Sequence, residues 1–221
     1  MLNYLKQTKL ANTAPLSLVL LIISALLGTS HILPSILPYF VLLICGMGAL
    51  CLQYNLAIIK LVFARPQRKM WWEVIPIVII TMIIAYIFVI VGAVLFNIPV
   101  NKNDALGNGD QLSKLINLFW VSISLIGEEV ITASLTFPIY TLTLKKFGNQ
   151  KAWLFAAIVG SLLFGLLHFR VYHWNLYQMF FPIGLGRLPF TWLWLKADSL
   201  WPAIVAHILY DLILFIPLVV N

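Results

Sequence analysis

The sequence predicts an all-α fold, a polytopic transmembrane helical bundle of about seven spans, each needing about 20 apolar helical residues. Three observations carry that prediction. Of 221 residues, 62% are hydrophobic and only 10% are charged, with a mean hydropathy of +0.99; ordinary soluble domains hold about 25% charged and about 45–50% apolar residues. A soluble globule of this length has too little interior to hide so much apolar surface, whereas lipid accepts it. Residues 16–28 and 74–96 are almost continuously apolar, which excludes the alternating strands of an outer-membrane barrel. The net charge of +7 comes from basic residues scattered in short loops between apolar runs. That is the distribution of the positive-inside rule, not of a nucleic-acid-binding surface, so no nucleic-acid partner is expected.

The spans follow in order. Residues 15–30 come after Lys6 and Lys9 and superficially resemble a signal peptide, but the many apolar runs that follow make this a first membrane helix that stays attached. Residues 35–63 and 112–144 are long enough to tilt or to begin as interfacial helices. The former holds Cys45 and Cys51, six positions apart; they point to different helix faces and read as buried small hydrophobes. Residues 73–97 form the third span. Pro34, Pro38, Pro66, Pro99 and Pro202 lie near span ends, where proline is tolerated. The only loop of any size is 97–111, whose Asn, Asp and Gly clusters suit turns. Spans 152–169, 174–195 and 200–219 complete the count. Pro138, Pro182 and Pro189 lie inside runs and are placed to kink them. The chain divides into N-terminal transmembrane helices, 1–111, and core helices, 112–221, with no repeat and no extramembrane domain.

Loop charges orient the bundle. Lys6, Lys9, Lys60, Arg65, Arg68, Lys69, Lys145, Lys146, Lys151 and Lys196 fall on one side; Lys102, Lys114 and Arg170 fall on the other. The N-terminus is therefore expected in the cytoplasm and, with seven spans, the C-terminus outside.

The informative residues are ionisable groups within apolar runs. A carboxylate at mid-membrane costs on the order of 2.5–3.5 kcal/mol. Glu73, Asp104, Asp110 and Asp198 lie in loops or at helix ends, but Glu128, Glu129 and Asp211 lie within hydrophobic helices. Glu128 and Glu129 stand about 100° apart on a helix, so one can face a cavity while the other pairs with a neighbouring helix. His168 follows Phe164 by one turn. His207 and Asp211 share a helix face at a spacing within hydrogen-bond reach, so that Asp211 can hold the imidazole's tautomer. Each group alone also reads as a packing or hydrogen-bonding residue. Together, on three spans, they supply a base, a proton shuttle and a polariser for activating water. His31 and His173 read as surface residues.

These residues resemble the CPBP family, the CAAX-protease and bacteriocin-processing (Abi) intramembrane proteases. Its motifs are Glu-Glu-x-x-x-Arg, Phe-x-x-x-His, and His-x-x-x-Asn or His-x-x-x-Asp. Glu128-Glu129 opens the first, Phe164 to His168 matches the second, and His207 to Asp211 matches the third in its Asp form. The stretch Asp198-Ser-Leu-Trp-Pro-Ala-Ile-Val-Ala-His207 is also similar to the family's approach to its last motif. The resemblance covers about residues 120–215 and departs at position 133, where Ala133 replaces the arginine. Arg170 or Arg187 would have to substitute for it in space.

The resemblance implies a CAAX-protease-like core and peptide-bond hydrolysis inside the membrane. Glu128, with Glu129 beside it, would supply the base, and His168 would be its partner. His207 and Asp211 would hold the oxyanion. It leaves metal dependence open: Glu128, His168 and His207 would be the ligands of a zinc ion, although the His-Glu-x-x-His spacing is lacking. The partners implied are membrane lipid and a membrane-associated peptide or protein substrate: a prenylated protein, a peptide pheromone or a bacteriocin-like precursor. The expected location is a bacterial plasma membrane. Two other readings use the same residues, a catalytically impaired self-immunity or scaffold protein of the same fold and a proton-coupled transporter. Depth is the open geometric point, because straight helices leave His207 about 10 Å from His168 along the membrane normal. A broken sixth helix is the expected remedy.

Overall fold

The computed structural model describes residues 1–28, 36–101, 103, 105–107 and 109–220. His31, Pro34, Lys102 and Asp104, which enter the sequence reading above, lie outside them. Among the described residues every regular element is helical: α1 (Leu2–Gln7), α2 (Ser17–Leu27), α3 (Pro38–Tyr54), α4 (Ala57–Val62), α5 (Val74–Phe96), α6 (Gln111–Leu166), α7 (Leu176–Gln178), α8 (Leu188–Ala197) and α9 (Trp201–Val220). Among the described residues three stretches are long and apolar enough to cross a membrane: Arg68–Phe96, Gln111–Leu166 and Trp201–Val220. Ala14–Leu27 and Pro38–Tyr54 are shorter apolar helices. The expectation of seven separate spans is therefore met only in its all-helical, membrane-spanning character. The ten residues of α8 extend only about 15 Å, half a bilayer core.

The outward faces are as apolar as the interior, which is the signature of a lipid-facing helix. On α5, Ile75, Ile79, Ile83, Ile87 and Ile90 are all exposed, while Val74, Ile77, Val78, Thr81 and Ala85 turn inward. Close packing rather than exclusion from water must then hold the helices together. The interior supplies it with a cluster that includes Tyr54, Phe137, Tyr140, Trp153, Phe190, Trp194 and Ile204. Trp153 meets Tyr140 edge-on at 5.5 Å between ring centroids, and Trp194 meets Phe137 at 6.1 Å. Buried amide and hydroxyl groups add directional ties. Gln53 Nε2 donates to Ser17 Oγ and to the Ser134 carbonyl, both at 2.9 Å, joining α2, α3 and α6.

The fourth and fifth expected spans are two arms of α6. Asp110 caps its start, accepting the Ser113 N–H at 2.9 Å, and the Ser113 hydrogen bonds hold the Asp110 carboxyl below its usual range. The helix runs on through Pro138 and turns at Gly148, where φ is 74° and ψ is 170°, a conformation that essentially only glycine adopts. Tyr140 OH donates to Asn149 Oδ1 at 2.7 Å across that turn. The sixth expected span is broken. It consists of α7, a π-helical turn at Met179–Gly184 that contains Pro182, a 3₁₀ turn at Leu185–Arg187, and α8.

Asp198, in left-handed conformation at φ 54°, ends α8 and reverses the chain into α9. Its carboxylate accepts the Leu2 N–H and the Met1 ammonium, each at 2.9 Å. Partial burial pushes this carboxyl up, but the Leu2 N–H and the ammonium outweigh burial and leave it below the usual range.

Candidate active site

A cavity of about 500 Å³ opens between α2, α3, α6, the turn after α6, the broken segment and α9. Glu128, His168, His207 and Asp211 all line it, with Phe164, Tyr172, Arg187 and Tyr210 among their neighbours. Glu128 Oε2 lies 4.0 Å from Nε2 of both His168 and His207. The three motif stretches thus converge on one point. α6 ends at Leu166 and the chain from 167 to 174 is a series of turns, so His168 stands just beyond the helix rather than in it.

Each imidazole is held from behind. His168 Nδ1 donates to the Phe164 carbonyl at 3.2 Å, and the ring packs on Phe164 and Tyr172 with centroids at 4.7 and 6.0 Å. His207 Nδ1 donates to Glu129 Oε1 at 2.9 Å, with Phe190 at 5.0 Å from its ring. In neutral imidazoles these bonds assign the proton to Nδ1 and leave each Nε2 as a lone pair. The carboxylate holding His207 is therefore Glu129, a correction to the sequence reading, which gave that bond to Asp211. Asp211 remains in the cavity wall one turn further along α9.

The two glutamates separate as their 100° spacing requires. Glu128 is partly exposed to the cavity, whereas Glu129 is completely buried. Arg187 Nη2 donates to Glu129 Oε1 at 2.6 Å, and Trp194 Nε1 donates to Oε2 at 2.8 Å. Arg187 Nη1 donates to Thr191 Oγ1 at 3.1 Å, and its guanidinium lies over the rings of Phe164 and Trp194 at 4.5 and 5.3 Å. Of the two arginines considered as substitutes for the residue missing at 133, Arg187 occupies the role; Arg170 donates to the Leu26 carbonyl instead. Trp194 and Thr191 carried no sequence signal. Arg187 did: it is an isolated cation inside an apolar run, and such a charge requires an anionic partner. His173 is exposed, as expected.

The broken segment makes this possible. It lies so close to the end of α6 that a side-chain carbon at Gly165 would collide with the Met179 carbonyl and come within 3.4 Å of Gly184 Cα. The π and 3₁₀ turns then carry Arg187 inward to Glu129. Such turns are frequent at functional sites.

The donor types of Glu128, His168 and His207 suit zinc, but their spacing does not. Ligands about 2.0–2.1 Å from a tetrahedral ion lie roughly 3.3 Å apart, not 4.0 Å. Among the described residues no group of three His, Cys, Asp or Glu side chains is arranged to hold a metal ion. What the three groups do form is a ring of proton acceptors around one point of the cavity, an arrangement able to orient a water molecule and take its proton.

Fold and cavity together define a membrane-embedded helical protein with a buried acid–histidine centre. Residues 111–213 match the family model described as type II CAAX prenyl endopeptidase Rce1-like. This stretch holds the positions of all three motifs, so the family resemblance read from the sequence is matched over these residues. No curated protein and no solved structure matches the chain.

Proposed function

We propose that the protein is an intramembrane endopeptidase in which Glu128 and His168 activate water against a peptide bond. The observation that carries this reading is the 4.0 Å approach of one Glu128 oxygen to both imidazole Nε2 atoms in a cavity walled by apolar helices. That separation is too long for direct hydrogen bonds and suits a water touching both partners.

Glu128 takes a proton from that water while the oxygen attacks the carbonyl carbon, forming a C–O bond and an oxyanion. His168 Nε2 accepts a hydrogen bond from the water's other O–H, which stays on the oxygen, and keeps the oxygen lone pair aimed. As the C–N bond breaks, protonated Glu128 returns its proton to the departing nitrogen, leaving a carboxylic acid and an amine and restoring Glu128. His207, with its proton on Nδ1 at rest, stabilises the oxyanion in this scheme after taking up a second proton on Nε2 from solvent. Asp211 keeps a place in the wall beside it. No step is derived through a metal.

The substrate reading is a membrane-associated peptide: a prenylated protein tail, a peptide pheromone or a bacteriocin-like precursor. Ala133 in place of the motif arginine is the feature that favours a scaffold role, but the ion pair of Arg187 with Glu129 at 2.6 Å brings a cation to the site and favours catalysis. The protein would lie in the plasma membrane with its N-terminus in the cytoplasm. The test is cleavage of a farnesylated CAAX-type peptide by the full chain in lipid nanodiscs, read by mass spectrometry, beside Glu128→Ala. Cleavage by the wild type alone supports the reading; equal results from a well-folded variant and the wild type overturn it.

A further inference from the structure

We propose that Arg187 is the positioning residue of this site: acting through Glu129, it holds His207 with Nε2 turned toward Glu128, from the broken sixth segment rather than from position 133 of α6. The inference rests on reading Glu128, His168 and His207 as the hydrolytic centre.

Glu129 is completely buried, and a buried carboxylate without a cation must neutralise or move. Three groups donate to it: Arg187 at 2.6 Å, Trp194 at 2.8 Å and His207 at 2.9 Å. Arg187 alone carries a permanent charge. It is itself 3% exposed and fixed by Thr191 and by the Phe164 and Trp194 rings, so its fork is preorganised. The chain of contacts runs from Arg187 to Glu129, from Glu129 to His207 Nδ1, and from His207 Nε2 to Glu128. Loss of the guanidinium releases Nδ1, and an imidazole with a free Nδ1 samples both tautomers and other ring orientations.

Phe164 links this chain to the other imidazole. Its ring lies beneath the guanidinium and against His168, so Arg187 is packed on the residue that precedes His168 by one turn. Position 133 lies one turn beyond Glu129 on α6, on the same face. A cation can reach Glu129 from either place. In this chain Ala133 is buried in the packed interior and the cation arrives from the 3₁₀ turn. The Nη atoms of Arg187 are engaged by Glu129 and Thr191.

The test uses the full chain in lipid nanodiscs with two readouts: kcat and KM on a farnesylated CAAX-type peptide, and ¹⁵N NMR of the His207 ring. The variants are Arg187→Ala, Arg187→Lys and the relocation Ala133→Arg with Arg187→Ala. Arg187→Ala is expected to lower kcat about 10²–10³-fold with KM changed by less than about threefold, the pattern of a histidine that has lost its orienting partner. The Nδ1-protonated signal of His207 becomes a mixture of tautomers. The relocation variant recovers at least about tenfold in kcat together with the single tautomer. Wild-type kcat in Arg187→Ala, a raised KM with unchanged kcat, or a folded relocation variant that restores neither readout overturns the proposal. If Arg187→Ala does not fold, Arg187→Lys and the relocation variant decide. If the wild type cleaves no peptide, the hydrolase reading fails, while an unchanged His207 tautomer in the variants counts against Arg187 and a shifted one supports it.

Discussion

Replacing Gly165 by alanine tests how tightly the broken segment must sit on α6. The added carbon would stand 3.0 Å from the Met179 carbonyl carbon, closer still to its oxygen, and 3.4 Å from Gly184 Cα. All are backbone atoms, so no rotamer change relieves the collision. Comfortable carbon contacts lie at about 3.5–4.0 Å, and the π turn must therefore retreat by on the order of 1 Å. Overpacking of this kind costs roughly 1–3 kcal/mol. Arg187 lies only three residues after Gly184, so it moves with the turn, and a misplacement of about 1 Å lowers catalytic rates about 10²-fold. Gly148→Ala is the control. There φ is 74° with nothing within 4 Å of the added carbon, so backbone strain of about 1–3 kcal/mol arises without a collision and outside the cavity. Both variants should unfold earlier in detergent melts, but only Gly165→Ala should lose kcat per folded molecule in the peptide-cleavage assay. Wild-type melting and kcat in Gly165→Ala, or an equal loss of kcat in Gly148→Ala, would refute the reasoning.

Trp194→Phe keeps the ring packing but removes the donor to Glu129 Oε2; a stability loss of about 1–3 kcal/mol is expected for the orphaned acceptor, read by thermal unfolding. Asp110→Ala removes the cap of α6 and should speed hydrogen exchange at the Ser113 amide. Because the Asp110 carboxyl is held below its usual range, the cap is complete above the ordinary carboxylate value and is lost only as pH falls through the lowered one, so wild-type exchange should approach that of the variant only in acid. Lys196→Ala breaks a 2.6 Å pair with Glu73 whose side chains are 37% and 32% exposed; solvent screening limits its worth to below about 1 kcal/mol, and the melting temperature should barely move.

The class of fold was legible because lipid-facing and interior positions are both apolar, as on α5, and composition alone records that. The candidate site was legible as a set of ionisable residues too costly to be incidental, and Glu128, His168 and His207 do meet at one cavity. Which carboxylate holds His207 was not legible. Asp211 is the neighbour along the helix, but Glu129 is the neighbour in space, because Arg187 and Trp194 fix it there across more than fifty positions of sequence. The joining of the fourth and fifth spans also escaped span counting. A hydropathy window sees α6 as two spans and cannot see that Gly148 joins its arms. Pro182 and Pro189 marked the broken sixth segment, but the π turn that aims Arg187 depends on backbone contact at Gly165.

The account stands or falls on whether Glu128 and His168 act as one water-activating unit. The direct measurement is kcat for Glu128→Gln, His168→Ala and the double variant, in nanodiscs and with folding verified for each. Each single change should cost about 10²–10⁴-fold, and the double should be no worse than about threefold beyond the weaker single, because groups serving one step are not additive. Losses that multiply, or substantial cleavage by Glu128→Gln, would contradict it.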